Sequence, residues 1–155
     1  MEQKHDLTLT RVLDAPRSAV WKAWTTPELL MKWFTPEPVK TTDCEMDLRP
    51  GGVFRTEFLL PDGVEFTNDG IFLDVVEGEK LVFTDFFTPG YQPAKEPFMV
   101  AVISMTESSE SDAKTNYHVL VRHRTEEDKL KHEKMGFYEG WGASITQLEA
   151  LAKTL

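Results

Sequence analysis

The chain has 155 residues, with 17 Lys plus Arg against 26 Asp plus Glu and a formal charge of −9 at neutral pH. This is the length of one domain with enough interior to need no disulfide or metal staple. The negative charge, with basic residues scattered rather than massed, argues against nucleic acid and anionic membrane as partners. Cys44 is the single cysteine, so no intrachain disulfide can form and no Cys/His zinc pattern exists. Neither a metal nor a cofactor is expected. The opening MEQKHDLTLT lacks a basic-then-apolar leader, and no run approaches the ~20 apolar residues of a membrane-spanning helix. The expectation is a soluble cytoplasmic protein, monomer or homodimer.

Leu7 to Leu13 alternate as an opening strand, with Leu7, Leu9, Val12 and Leu13 as its apolar members. A short helix follows, with Pro16 in its first turn and Val20, Ala23 and Trp24 at helical spacing. A second helix starts at TPELLMKWF, where Thr26 can cap and Leu29, Leu30, Trp33 and Phe34 recur three and four apart. Pro36 and Pro38 then exclude helix. From Val39 to Arg124 each break reads as a turn: RPGG at 49–52, PDG at 61–63 and EGEK at 77–80. Between them lie CEMDL, VFRTEFLL, GIFLDVV and LVFTDFF, and beyond two longer connections FMVAVISMT pairs with TNYHVLVRHR. That makes about six consecutive antiparallel strands after the opening one. The absence of crossover-length helices argues against a parallel sheet or a dinucleotide fold.

The end of the chain, from Thr125, reads as helix, with Glu126, Glu127 and Asp128 suited to its positive end and Thr125 to its cap. Phe137, Tyr138, Trp141, Ile145, Leu148, Ala152 and Leu155 form one apolar stripe. Gly136, Gly140 and Gly142 oppose helix formation by up to ~1 kcal/mol each. They serve either a close approach to a neighbouring element or a bend near Met135–Gly136. The economical architecture is α+β: a curved antiparallel sheet of about seven strands wrapped around a long C-terminal helix, with two short helices after the first strand.

The composition holds 10 Phe, 4 Trp, 3 Tyr and 6 Met. Alternation assigns many of them to inward faces. Phe54 and Phe58 share one face of their strand, and Tyr117, Val119, Val121 and His123 share one face of the last strand. Phe83 and Asp85 share another. Either these side chains fill the space between sheet and helix, or they line an accessible apolar pocket with a few polar groups for orientation.

The stretch LTLTRVLDAPRSAVWKAWTTPELLMKWF, the RPGG turn followed by VFRTEF, the segment FTDFFTPGYQPAKEPFM and the ending HEKMGFYEGWGASITQLEAL resemble a known family over nearly the whole chain. It is the group of bacterial proteins similar to the C-terminal domain of the activator of the ninety-kilodalton heat-shock chaperone's ATPase. That group belongs to the START-related, birch-pollen-allergen-like helix-grip superfamily, SRPBCC. The resemblance implies a seven-stranded sheet gripping the last helix across the single domain 1–155, and a cavity whose contents differ between members. Eukaryotic activators carry a chaperone-binding module ahead of this domain. A first strand near residue 7 leaves no room for one, so association with the chaperone is the lesser expectation.

The cavity candidates are then Trp24, Trp33, Phe54, Phe58, Phe83, Asp85, Tyr91, Met105, Tyr117, Val119, His123, Trp141 and Ile145. The partner they suggest is a small hydrophobic or aromatic molecule, bound without catalysis. Burial of Asp85 among apolar neighbours would demand a partner. Either Asp85 is exposed or ion-paired at the end of its strand, or it pairs with a group such as His123, and an Asp85–His123 pair would serve either as a general base, as in a polyketide cyclase or aromatase, or as mutual satisfaction of two polar groups. HEKMG lacks the second His of a zinc-protease helix, no GxSxG elbow is present, and Cys44 reads as a buried strand residue. The long loop 88–97 serves either as a lid, with Tyr91 folded inward, or as an inert connection.

Overall fold

The computed structural model describes residues 5–155. The reading of the chain's start rests partly on residues 1–4, which lie outside the described residues. Strand β1 (Asp6–Leu13) leads into α1 (Arg17–Thr25) and α2 (Pro27–Leu30). Eight further strands follow in order: β2 (Lys40–Met46), β3 (Val53–Leu59), β4 (Glu65–Val76), β5 (Lys80–Thr84), the short pair β6 (Phe87–Thr88) and β7 (Gln92–Pro93), then β8 (Met99–Glu107) and β9 (Thr115–His123). Two helices end the chain, α3 (Glu126–Lys134) and α4 (Phe137–Ala152).

One seven-stranded antiparallel sheet runs in the order β1-β9-β8-β5-β4-β3-β2, while β6 and β7 make a separate small hairpin. First and last strands are therefore neighbours, with Leu7 opposite Val121 and Leu9 opposite Val119. Register shifts at Thr41/Asp43 and at Phe72/Asp74 bend the sheet into its grip. This is the α+β helix-grip architecture, and the inward alternation of β9 places Tyr117, Val119, Val121 and His123 in the interior. Among the described residues no helix is long and apolar enough to cross a membrane.

Three elements differ from expectation. The C-terminal helical segment is two helices, because Gly136 stands at φ 94°, a left-handed conformation that costs a glycine little, and α4 starts afresh after it. Tyr138 and Leu155 are each 44 % exposed, so the buried stripe of α4 is Phe137, Ile145, Leu148 and Ala152. Gly142 is the close approach: a Cβ there would meet the Arg11 guanidinium, whose Nη1 donates to Thr146 Oγ1. The second short helix stops at Leu30, and Trp33 and Phe34 sit in the following turns; Pro27 occupies its first turn, and Thr26 makes no side-chain cap. The strand read at LVFTDFF ends at Thr84, whose Oγ1 donates to Met99 O and accepts from Phe86 N, turning the chain out of the sheet.

Candidate functional site

The concave face of the sheet, α1 and the turns after α2 converge on one aromatic cluster. Trp24 lies at its centre, 2 % exposed, with its ring centroid 4.9 Å from Trp33 and 5.7 Å from Phe83. Phe54 stacks on Phe72 at 4.8 Å and meets Phe83 edge-on at 5.0 Å. Both indoles are hydrogen-bonded as burial demands: Trp24 Nε1 donates to Tyr117 Oη (2.8 Å) and Trp33 Nε1 to the Ala23 carbonyl (3.0 Å). Burial raises the Tyr117 phenol well above its ordinary value, so it stays protonated at any physiological pH.

Of the residues expected to face a cavity, Trp24, Trp33, Phe54, Phe83, Met105, Tyr117, Val119 and Ile145 are gathered into this core. Around it runs a half-buried apolar rim that includes Phe34, Cys44, Met46, Met99 and Trp141. Phe58 belongs to the rim, its ring 6.1 Å from Phe34. Sequence reasoning missed Phe34 and Phe72. Phe72 precedes the β4 bulge, where alternation changes face, and Phe34 follows a helix that ends earlier than its apolar spacing suggests.

Beside this rim a cleft of about 410 Å³ opens where the α2–β2 connection meets α4, lined by Met31, Lys32, Pro38, Lys40, Thr41 and Gln147 among others. Thr41 is the strand partner of Phe58, so the cleft adjoins the rim. Gln147 fixes its wall: Nε2 donates to the Trp33 and Thr35 carbonyls (3.0 and 2.7 Å), and Oε1 accepts from Glu37 N (2.9 Å). A polar residue beside the apolar stripe of α4 was the one sequence signal for this clamp.

Asp85 and His123 are not paired with each other. Asp85 Oδ1 accepts from the main-chain N–H of Phe98 (2.9 Å) and Met99 (3.0 Å), tying the base of the 88–97 loop to the start of β8. His123 instead bonds to His132, Nε2 to Nδ1 at 2.9 Å, and through Nδ1 donates to the His5 carbonyl at 2.7 Å. The phenyl ring of Phe98 covers both imidazoles, at 5.6 and 5.0 Å.

Tyr91 does not fold inward either. It is 60 % exposed, at φ 58° in the three-residue loop of the β6–β7 hairpin, and its hydroxyl lies against Gly51 in the 49–52 turn.

The Cys44 thiol is pushed up to about 11, chiefly by burial and next by the neighbouring Asp43 carboxylate. At pH 8 its thiolate fraction falls about a hundredfold below that of an ordinary cysteine. Reaction with a disulfide reagent is therefore expected to be slower than in the urea-unfolded chain by at least that factor. Equal rates in the two states would contradict this placement.

A curved antiparallel sheet closed by its terminal helix over an aromatic interior defines a helix-grip domain. The chain belongs to the family described as Activator of Hsp90 ATPase homolog 1-like protein, whose model matches residues 14–153. A crystal structure of a Nitrosomonas europaea protein is similar at 43 % identity and TM-score 0.93, covering 99 % of this chain and 97 % of that one. A Mycobacterium smegmatis protein is similar at 27 % identity and TM-score 0.79, covering 96 % of this chain and 90 % of that one. A Chromobacterium violaceum protein is similar at 28 % identity and TM-score 0.74, covering 97 % of this chain and 98 % of that one. No curated protein matches the chain.

Proposed function

We propose that this domain is a non-enzymatic receptor for a small hydrophobic or aromatic molecule held at the edge of the space between the sheet and α4. The observation that carries the reading is the half-buried apolar surface of Phe34, Phe58 and Met46 beside a closed aromatic core, with an open cleft next to Phe58. Trp24, Phe54, Phe72 and Phe83 already fill the interior with ring-on-ring contacts. A ligand therefore seats on the rim, where flat apolar surface is still available, and takes its affinity from ring stacking and apolar burial. Catalysis by Asp85 and His123 is disfavoured, because the hydrogen bonds above commit both side chains to holding the backbone and a neighbouring ring.

The test is titration of intrinsic tryptophan emission with a panel of fatty acids, polyketides and flavonoids, followed by melting of the complexes. A binder is expected to change emission saturably and raise the melting temperature, with Phe58→Ala weakening it about tenfold while the fold persists. Silence across the panel would sink the proposal. Family membership favours one second reading, regulation of the chaperone named in the family description. Stimulation of that chaperone's ATPase by the purified domain, with a silent ligand panel, would favour it over ligand binding.

A further inference from the structure

Helix α3 has almost no apolar face. Of Glu126–Lys134 only His132 is buried, while Leu130 is 49 % exposed. Thr125 Oγ1 caps its first turn by accepting from Asp128 N at 3.1 Å, but that bond is local to the helix. Its fully buried contact with the rest of the fold therefore centres on one side chain.

That side chain belongs to a hydrogen-bonded relay of fixed polarity. Trp141 Nε1 can only donate, and it donates to His132 Nε2 at 3.4 Å. His132 must then carry its proton on Nδ1, which donates to His123 Nε2 at 2.9 Å. His123 in turn carries its proton on Nδ1 and donates to the His5 carbonyl at 2.7 Å, a group that can only accept. Each donor meets an acceptor only while both imidazoles are neutral. A proton added to His123 Nε2 would face the N–H of His132, and one added to His132 Nε2 would face the N–H of Trp141.

The surroundings offer an imidazolium little compensation. Phe98 and Phe137 pack on His132 at ring separations of 5.0 and 5.1 Å. On α3 itself Lys131 lies over the Phe98 ring, and Asp128 is engaged by Arg124 at the end of β9. On β1 Asp6 is engaged by Arg122 of β9, and the His5 ring precedes it. At the start of α4 Glu139 lies beside Gly136, and behind Phe98 the Asp85 carboxylate is held by main-chain N–H groups. Among the described residues no carboxylate is ion-paired with His123 or His132.

We infer that the Trp141–His132–His123–His5 relay is an acid-released latch: neutral, it holds α3 against β9 and the start of β1, and protonation frees α3 and uncovers Phe98, Phe137 and Trp141. The latch shares Trp141 with the rim, but its test reads the protection of α3 and not what the rim binds. Burial, and secondarily His123, lowers His132 from its ordinary 6.5 to about 4. A freed His132 recovers its ordinary proton affinity, so opening becomes about thirtyfold more favourable at pH 5 than at pH 7.5.

Hydrogen exchange resolved by peptide at the two pH values, corrected for intrinsic rates, tests the latch. Protection of residues 126–134 is expected to fall about thirtyfold at pH 5 while β8 and β9 keep theirs. His132→Asn, which keeps a donor toward His123 but cannot titrate, is expected to remove the share of the pH dependence that His132 carries. Equal protection at both pH values, a loss shared evenly with β8 and β9, or an unchanged pH response in the variant would overturn the latch. Should the variant not fold, long-range proton–nitrogen correlation spectra of the unaltered protein decide. Both rings are expected neutral with the proton on Nδ1 at pH 7, and an Nε2–H tautomer or a cation at His132 would overturn the inference.

Discussion

Trp24→Ala is expected to lower the unfolding free energy by about 4 kcal/mol, the middle of the range for removing a buried aromatic side chain. Trp24 is 2 % exposed and is in ring contact with Trp33, Phe34, Phe54 and Phe83, so its loss leaves a cavity bounded on several sides by rigid rings that cannot collapse into it. The loss also leaves the hydroxyl of Tyr117, itself 1 % exposed, without the indole donor that satisfies it. An unsatisfied buried hydroxyl adds about 1–3 kcal/mol. Trp24→Phe restores most of the volume but not the donor, and is expected to cost about half as much. Combining it with Tyr117→Phe removes both ends of the bond, and the double variant should be more stable than the sum of the single losses. Urea unfolding of the parent and the four variants measures this. A cost below about 2 kcal/mol for Trp24→Ala would mean that the centre of the interior is loosely filled, and would move the ligand reading from the rim inward.

The faces of the strands were legible because a period of two leaves little freedom once one face is buried. Tyr117, Val119, Val121 and His123 of β9 point inward as alternation requires, and so does Phe54 of β3. Legibility failed where backbone geometry or a side-chain-to-backbone bond takes over from periodicity. Asp85 on an apolar strand face suggested a charged partner, but two main-chain N–H groups satisfy it, and sequence pattern carries no record of such bonds. Tyr91 follows Gly90, and both adopt positive φ in a hairpin loop, so the ring is carried outward to the 49–52 turn. A bend near Met135–Gly136 was one of two readings of the helix glycines, and pattern alone does not choose it, because a helical glycine and a left-handed glycine are the same letter. The stretch HEKMG carries no sign of what His132 does, because its partners His123, Phe98 and Trp141 sit on other elements.

Two glycine-to-alanine substitutions in this fold are expected to act with opposite signs. Gly70 is buried in β4 opposite Phe54, and a Cβ there would run into the Thr84 carbonyl, with the Asp85 backbone just behind. The colliding atom belongs to a backbone held on both sides. Thr84 Oγ1 bonds to Met99 O, and Asp85 anchors the first residues of β8, so relieving the clash means pulling the end of β5 out of the sheet. Overpacking that moves a main chain costs about 3 kcal/mol, and Gly70→Ala should cost at least that. Gly140 lies in α4, where an added Cβ meets nothing within 4 Å. There alanine removes only the conformational freedom of the unfolded chain, and Gly140→Ala should stabilise by up to about 1 kcal/mol. For a domain of this size the two melting temperatures should stand about 10 °C apart, on either side of the parent protein. If Gly70→Ala melts with the parent, β4 and the end of β5 are not in contact there, and the curvature that gathers Phe54, Phe72 and Phe83 into one cluster has to come from the two bulges alone.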